Sequence, residues 1–263
     1  MIHNSWLNLA CRMQIKQHFH NFQAAIIQFT RIPIKSDHLC GQHFTDSVNY
    51  LPLVGLLIGA LAACPVVFFS DAISPTGLAW LLIILGIVLT GAIHEDGLAD
   101  CCDGLFGGSS KQKRLDIMKD STLGTYGVLG LIAIVGSKVA MLSELPTDKL
   151  LIIFILAHGM SRLSPLIIML KSRYTEYAPS VKMTKQSETN TQVLLIIAAF
   201  MLLITLSLLP IPISILLILI TFVTPVLLKG LFEQKIGGYN GDCLGATQQI
   251  TETLLFMTAA CYY

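Results

Sequence analysis

Apolar runs long enough to cross a membrane as helices recur along the chain, each bounded by polar residues or by Pro and Gly. A hydrocarbon core of about 30 Å takes roughly 20 apolar residues in a helix, with about 17 as a lower bound. Residues 48–69, 77–93, 126–145 and 150–170 meet that length. The stretch 193–228 is far too long for one span at about 1.5 Å per residue. Pro210 and Pro212 break helical hydrogen bonding near its middle, so the pattern predicts a tight hairpin of two short spans. Residues 244–263 form a seventh candidate, although Gln248, Gln249 and Glu252 make its first turns polar. The expected fold class is all-α, a polytopic membrane bundle of six to seven transmembrane helices.

Composition points the same way. Of 263 residues 54% are apolar and 13% charged, with a mean hydropathy of +0.70, whereas a soluble domain carries about a quarter charged residues. An ordinary water-soluble globule is excluded, and the lipid bilayer is the expected surrounding. The net charge of +1 leaves no electrostatic footprint for nucleic acid, so no such partner is expected. The distribution of cations is more telling, because positively charged loops stay cytoplasmic. With the N-terminus inside, Arg12, Lys16, Arg31 and Lys35 precede the first span; Lys111, Lys113, Arg114 and Lys119 follow the second. Lys171, Arg173, Lys182 and Lys185 follow the fourth, and Lys229 and Lys235 the sixth. That makes fourteen inside against Lys149 alone outside, with Lys138 and Arg162 within candidate spans.

No internal repeat or linker divides the chain, which reads as one membrane domain at 22–263 after an N-terminal extension at 1–21. Residues 19–29 suit an interfacial amphipathic helix. The first twenty residues lack a long apolar core and a small-residue cleavage site, so no cleaved signal peptide is expected. Seven cysteines without a C-x-x-C pair suit reduced thiols facing a cytoplasm, with no structural disulfide.

The candidate chemistry lies in residues 94–127, HEDGLADCCDGLFGGSSKQKRLDIMKDSTLGTYG, which hold six of the sixteen acidic residues. If the second span continues as a helix, Asp96, Asp100 and Asp103 stand at i, i+4 and i+7, within about 60° of one face. Like charges so placed repel and raise one another's pKa unless a divalent cation lies among them. Hard oxygen ligands suit Mg²⁺, which binds through a few carboxylates plus substrate phosphates. The stretch is either a metal–diphosphate site or a solvated acidic face, and its context favours the former.

Gly97, Gly104, Gly107 and Gly108 either bring backbone amides close to an anion or loosen a loop. Lys111, Lys113, Arg114 and Lys119 either neutralise phosphate oxygens or only mark the inside face. Glu95 points to another side of the helix and suits a supporting or solvated role. His94 has the chemistry of a general base but reads better as an interfacial polar cap. Asp116 and Asp120 share a helix face, and Asp120 is favoured for function because it adjoins the glycine-bearing GTYG turn. Cys101 and Cys102 read as packing residues, having no partners at zinc spacing.

Ionisable groups inside a bilayer are costly and face the bundle interior. Lys138 and Arg162, the latter sharing a face with His158, either hold a diphosphate or pair with a buried carboxylate. Near the C-terminus, IGGYNGDCLGATQQITE puts Asp242 after three glycines at the opening of a helix, a second carboxylate or phosphate loop.

These motifs resemble the adenosylcobinamide-GDP ribazoletransferase family, also called cobalamin synthase, of the bacterial inner membrane. The resemblance rests on HEDGLADCCDGLFGG at 94–108, on RLDIMKDSTLGTYG at 114–127, on Thr30-Arg31-Ile32-Pro33 and on Tyr50-Leu51-Pro52-Leu53-Val54-Gly55. It continues through Ser161-Arg162, Gly241-Asp242, Leu244-Gly245-Ala246 and Glu252, covering the chain from about residue 22 to its end. Thr122, where the family commonly has a basic residue, and Asn240, where it commonly has Thr, depart from the pattern. The resemblance implies transfer of the adenosylcobinamide phosphoryl group from adenosylcobinamide-GDP to α-ribazole or its 5′-phosphate, with release of GMP. It implies a multi-pass protein of the bacterial inner membrane with its active site towards the cytoplasm, and it is compatible with a homo-oligomer. On that reading Mg²⁺ is held by Asp96, Asp100 and Asp103, and Asp103 or Asp120 accepts the hydroxyl proton. Arg31, Arg114, Lys119, Lys138, Arg162 and Asp242 contact substrate.

Two rivals fit less well. A CDP-alcohol phosphotransferase needs D-G-x-x-A-R, and Asp96-Gly97-Leu98-Ala99-Asp100 lacks the arginine. An ion-coupled transporter built on Lys138, Arg162 and His158 would put acids deep in the spans, whereas here they concentrate in the loops.

Overall fold

The computed structural model describes residues 2–175 and 189–263, with side chains from residue 14 onward. Lys182, Lys185 and the side chain of Arg12, all counted on the inside face, lie outside the described residues. The first helix, α1 (Ile2–Phe29), runs unbroken across residue 21, where the extension was expected to end. Its last two turns pack on the bundle through Ala24, Ala25 and Ile26, while Ile15 and Phe19 are exposed.

The first pass comprises α2 (Gly41–Asp46), a 3-10 turn (Ser47–Tyr50), α3 (Leu51–Ala62) and α4 (Cys64–Phe69). The returning α5 (Pro75–Thr90) is started by Ser74, whose side chain accepts from the Gly77 N–H, with Pro75 at the first helical position. Then follow α6 (Ile93–Gly107), α7 (Lys111–Lys119), α8 (Thr125–Glu144), α9 (Thr147–Ser161), α10 (Leu163–Lys171), α11 (Thr191–Leu208), α12 (Ile211–Ile236) and α13 (Gly241–Tyr262). Among the described residues the only β pairing is a bridge between Tyr174 and Tyr239.

Among the described residues five helical passes are long and apolar enough to cross a membrane, or six if α5 and α6 count together. The chain is an all-α polytopic membrane protein. Ile196 and Leu203 of α11 and Ile215 and Leu227 of α12 are exposed, as expected of a lipid-facing surface. The hairpin expected between α11 and α12 forms at Leu209–Pro210, but α12 is the longer arm, with Pro225 inside it. A proline there deprives the Thr221 carbonyl of its helical donor. The Ser164 hydroxyl of α10 takes that place, donating to the Thr221 oxygen at 2.9 Å.

At its 22 residues α13 is about 33 Å long, and it runs the depth of the bundle. Asp242 at its start is near Asp100, while Tyr263 lies under the Lys149 ammonium at the head of α9, 5.8 Å from its ring centroid. Its polar residues Thr247, Gln248, Gln249, Thr251 and Glu252 are all buried. Hydropathy alone does not mark it as a span because its neighbours are protein, not lipid. Among the described residues the cysteines are free.

Candidate active site

The site begins at the corner between α5 and α6. The second span does not continue straight into the acidic stretch: Gly91 (φ 66°) and Ala92 (φ 61°) both adopt the left-handed conformation. The axis turns by 91°. The acidic helix α6 therefore leaves the line of α5 at nearly a right angle. Gly91 is required twice: its φ disfavours a side chain, and a Cβ there would fall 2.1 Å from Nε of Arg31. The backbone N–H of Arg31 donates to the Leu89 carbonyl at 2.7 Å, so the chain after α1 is tied to this corner.

Leu98, Cys101 and Leu105 turn one side of α6 inward against Leu115 and Met118 of α7 and Phe232 and Ile236 of α12. Another side crosses α13 at backbone contact. A Cβ on Gly97 would lie 3.0 Å from the Asp242 Cα, and one on Gly245 would lie 3.1 Å from the His94 carbonyl oxygen. This crossing gathers Asp96, Asp100 and Asp242, the last contributed by the N-terminal turn of α13. Asn240 caps that turn by accepting from the Cys243 N–H at 3.0 Å and donating to Asp242 Oδ2 at 3.1 Å. The half-buried Asp100 carboxyl is pushed up to about 7, first by burial and then by the charges of Asp242, Asp96 and Asp103.

Asp96 borders two adjoining cavities. One, of about 290 Å³, has apolar walls from Phe29, Leu51, Pro165 and Met169 and carries Asp96 and Asp242 on its lining. The other, of about 340 Å³, is lined by Thr30, Arg31, Thr90, Gly91 and Asp96. Arg31 thus lines the same cavity as Asp96.

Asp103 is on the same helix and faces the start of α8. Its two oxygens accept the N–H groups of Gly124 and Gly127, each at 2.8 Å, at the N-terminus of α8. Asp120 is exposed at the end of α7 and accepts from the Thr122 N–H (3.1 Å) and hydroxyl (2.8 Å). Those bonds hold its carboxyl below the usual range. Thr122, a departure from the family pattern, serves to orient Asp120. Arg114 donates to the Lys235 carbonyl at 3.2 Å, and Lys119 is exposed in the last turn of α7.

Among the described residues no three His, Cys, Asp or Glu side chains are grouped so as to hold a metal ion. The donor set nonetheless fits Mg²⁺, which is bound through one or two carboxylates with phosphate oxygens completing its shell. Asp96, Asp100 and Asp242 repel one another, and a divalent cation relieves that repulsion.

The two intramembrane cations lie deeper, in a buried network around Glu252. The Lys138 ammonium donates to Glu252 Oε1 and to Gln249 Oε1, both at 2.6 Å. Arg162 lies 3.5 Å from Glu252 Oε2 and donates to the His158 carbonyl at 2.7 Å. Gln248 donates to Glu252 Oε2 at 2.7 Å and to the Ser161 hydroxyl at 3.0 Å. Of the two sequence readings for Lys138 and Arg162, the contacts present are those of the buried ion pair. Glu95 joins the network by accepting from Gln249 at 2.9 Å. His94 is buried at 5% exposure rather than capping an interface, and its Nε2 has no hydrogen-bond partner among the described residues.

The family model described as cobalamin-5-phosphate synthase matches residues 21–260. Among curated relatives, the adenosylcobinamide-GDP ribazoletransferase of Vibrio parahaemolyticus is 32% identical over 249 residues, covering 92% of each chain. That of Shewanella piezotolerans is 35% identical over 261 residues, covering 92% of this chain and 95% of its own. That of Pseudoalteromonas atlantica is 36% identical over 245 residues, covering 91% and 90%. No solved structure matches the chain.

Proposed function

The chain belongs to the cobalamin-5-phosphate synthase family, and we propose that the crevice around Asp96, Asp100 and Asp242 is where it performs adenosylcobinamide-GDP ribazoletransferase chemistry. The donor is adenosylcobinamide-GDP, the acceptor α-ribazole or its 5′-phosphate, and the products are the joined cobalamin, or its phosphate, and GMP. The observation that carries this reading is the crossing of α6 and α13, which brings Asp96, Asp100 and Asp242 near one another, with Asp96 lining the same cavity as Arg31.

In this reading Asp96, Asp100 and Asp242 hold Mg²⁺. When bound, that ion neutralises the diphosphate and the departing nucleotide. Arg31 pairs with phosphate oxygens from the other side of the crevice, and Arg114 and Lys119 add positive potential from α7. A ribazole hydroxyl oxygen forms a bond to the phosphorus that carries the cobinamide arm. The bond from that phosphorus to the bridging oxygen breaks, and GMP leaves with the electron pair. Asp120, exposed on the loop that Asp103 anchors through Gly124, takes the hydroxyl proton. Catalysis of this kind is mainly positioning and charge stabilisation.

The crevice end of the bundle faces the cytoplasm of a bacterial inner membrane. Support comes from Arg31, Lys111, Lys113, Arg114 and Lys119 at that end, set against Lys149 beside Tyr263 at the other. The test is product formation by the purified protein in detergent with adenosylcobinamide-GDP, α-ribazole and Mg²⁺. Cobalamin and GMP are expected in equal amounts, and no GMP above the protein-free control would overturn the assignment.

A further inference from the structure

A third cavity, of about 410 Å³, opens between α1, the 3-10 turn and the start of α11. Its lining is unusual for a membrane protein in being rich in primary amides: Gln14, Gln17, Asn21, Asn49, Asn190 and Gln192 all contribute. The walls are braced. Asn49 donates to the Asp46 carbonyl at 2.9 Å and accepts the Asn190 N–H at 2.8 Å, and His18 is hydrogen-bonded to the Tyr50 hydroxyl. Asn21 is buried at 5% exposure, and its Oδ1 has no hydrogen-bond partner among the described residues. Leaving a buried acceptor unmatched costs free energy that a ligand N–H would recover.

This cavity and the Asp96 crevice share two walls. Val48 of the 3-10 turn lines the crevice while Asn49 and Tyr50 line the amide cavity. On α1, Asn21 faces the amide cavity and Gln28 the crevice, seven residues apart, or about 10 Å along the helix. One ligand with a broad body and a short arm has the reach to occupy both.

Resting on the function proposed above, we infer that the amide cavity receives the rim of the corrin macrocycle of the donor. Cobinamide is a macrocycle edged with primary amide side chains, and in the donor the diphosphate hangs from one further side chain, a substituted amide, through its aminopropanol arm. A primary amide both donates and accepts, so amides on the wall pair with amides on the rim, and Asp46 on the same lining offers a further acceptor to a rim N–H. The cavity holds one edge of the macrocycle, which leaves the rest of the ring open at the bundle surface. The acceptor, which has no such rim, does not use it.

The test is equilibrium dialysis of cobinamide lacking the guanosine diphosphate, against full-length protein in detergent. Wild type is compared with the combined variant Gln14→Leu, Gln17→Leu and Gln192→Leu, three exposed positions on the cavity rim. Loss of these hydrogen bonds is expected to weaken cobinamide binding by about tenfold or more. In turnover of the same preparations, the donor KM rises by a similar factor, while the α-ribazole KM and kcat stay within about twofold. Wild-type protein that fails to bind cobinamide, or a variant that binds it as well as wild type, overturns the inference. Turnover without any change in donor KM overturns it too, yet leaves the transferase reading standing. Absence of GMP release from wild type would instead strike that reading.

Discussion

Gly97 and Gly245 meet with no side chain between them, so that a Cβ on the first would lie 3.0 Å from the Asp242 Cα and one on the second 3.1 Å from the His94 carbonyl oxygen. The carboxylates of α6 and α13 share a crevice only because the helices approach this closely. Gly97→Val is expected to push the helices apart at an overpacking cost of about 1–3 kcal/mol. Misplacement of reacting groups by about 1 Å lowers rate by about a hundredfold, so GMP release falls by that order. Gly136→Ala on α8, where a Cβ meets nothing within 4 Å, leaves the rate unchanged. Equal rates from both variants would show that the crossing does not set the site.

Asp103 and Asp96 separate structure from chemistry on one helix. With both carboxylate oxygens accepting backbone N–H groups at 2.8 Å, Asp103 pins the start of α8. Asp103→Ala removes two charge-assisted bonds, at a cost of about 3 kcal/mol, and lowers the thermal midpoint in detergent. Asp96→Asn, at an exposed position, leaves the midpoint in place and removes turnover. Loss of metal affinity in Asp103→Asn with an undisturbed midpoint would return Asp103 to the ligand set.

Glu252 is shared by two cations, Lys138 at 2.6 Å and Arg162 at 3.5 Å. Removing one partner of a buried pair costs about 3–5 kcal/mol, because an uncompensated charge is left behind. Glu252→Ala strands two cations and is expected to destabilise more than Lys138→Met, which leaves Arg162 on the carboxylate. Thermal unfolding of the two variants gives the order. If Lys138 held the diphosphate instead, Lys138→Met would raise the donor KM without moving the midpoint.

The spans were legible because each apolar run reports its own surroundings. Residues 126–145 and 150–170 coincide within a few residues with Thr125–Glu144 and Thr147–Lys171. The corner at Gly91–Ala92 was not, since nothing in an Ala side chain announces a left-handed φ; the glycine before it was the available signal. Helical spacing set Asp103 beside Asp96 but is blind to the free N–H groups of Gly124 and Gly127, which arrive from another helix. The polar turns of α13 left its depth open for the same reason. Glu252 lies 114 residues from Lys138, and only folding brings them together. A usable clue was present: two cations within spans require a carboxylate, and Glu252 is the sole acid after Asp242.

The central claim is that carboxylates from α6 and α13 hold a divalent ion together with the donor diphosphate. Electron paramagnetic resonance of Mn²⁺ bound in place of Mg²⁺, titrated into the full-length protein with adenosylcobinamide-GDP present, tests it most directly. The account predicts one tightly bound ion per chain in wild type, and its loss in Asp96→Asn, Asp100→Asn and Asp242→Asn at unchanged thermal midpoints. Undiminished Mn²⁺ binding in all three variants would contradict it.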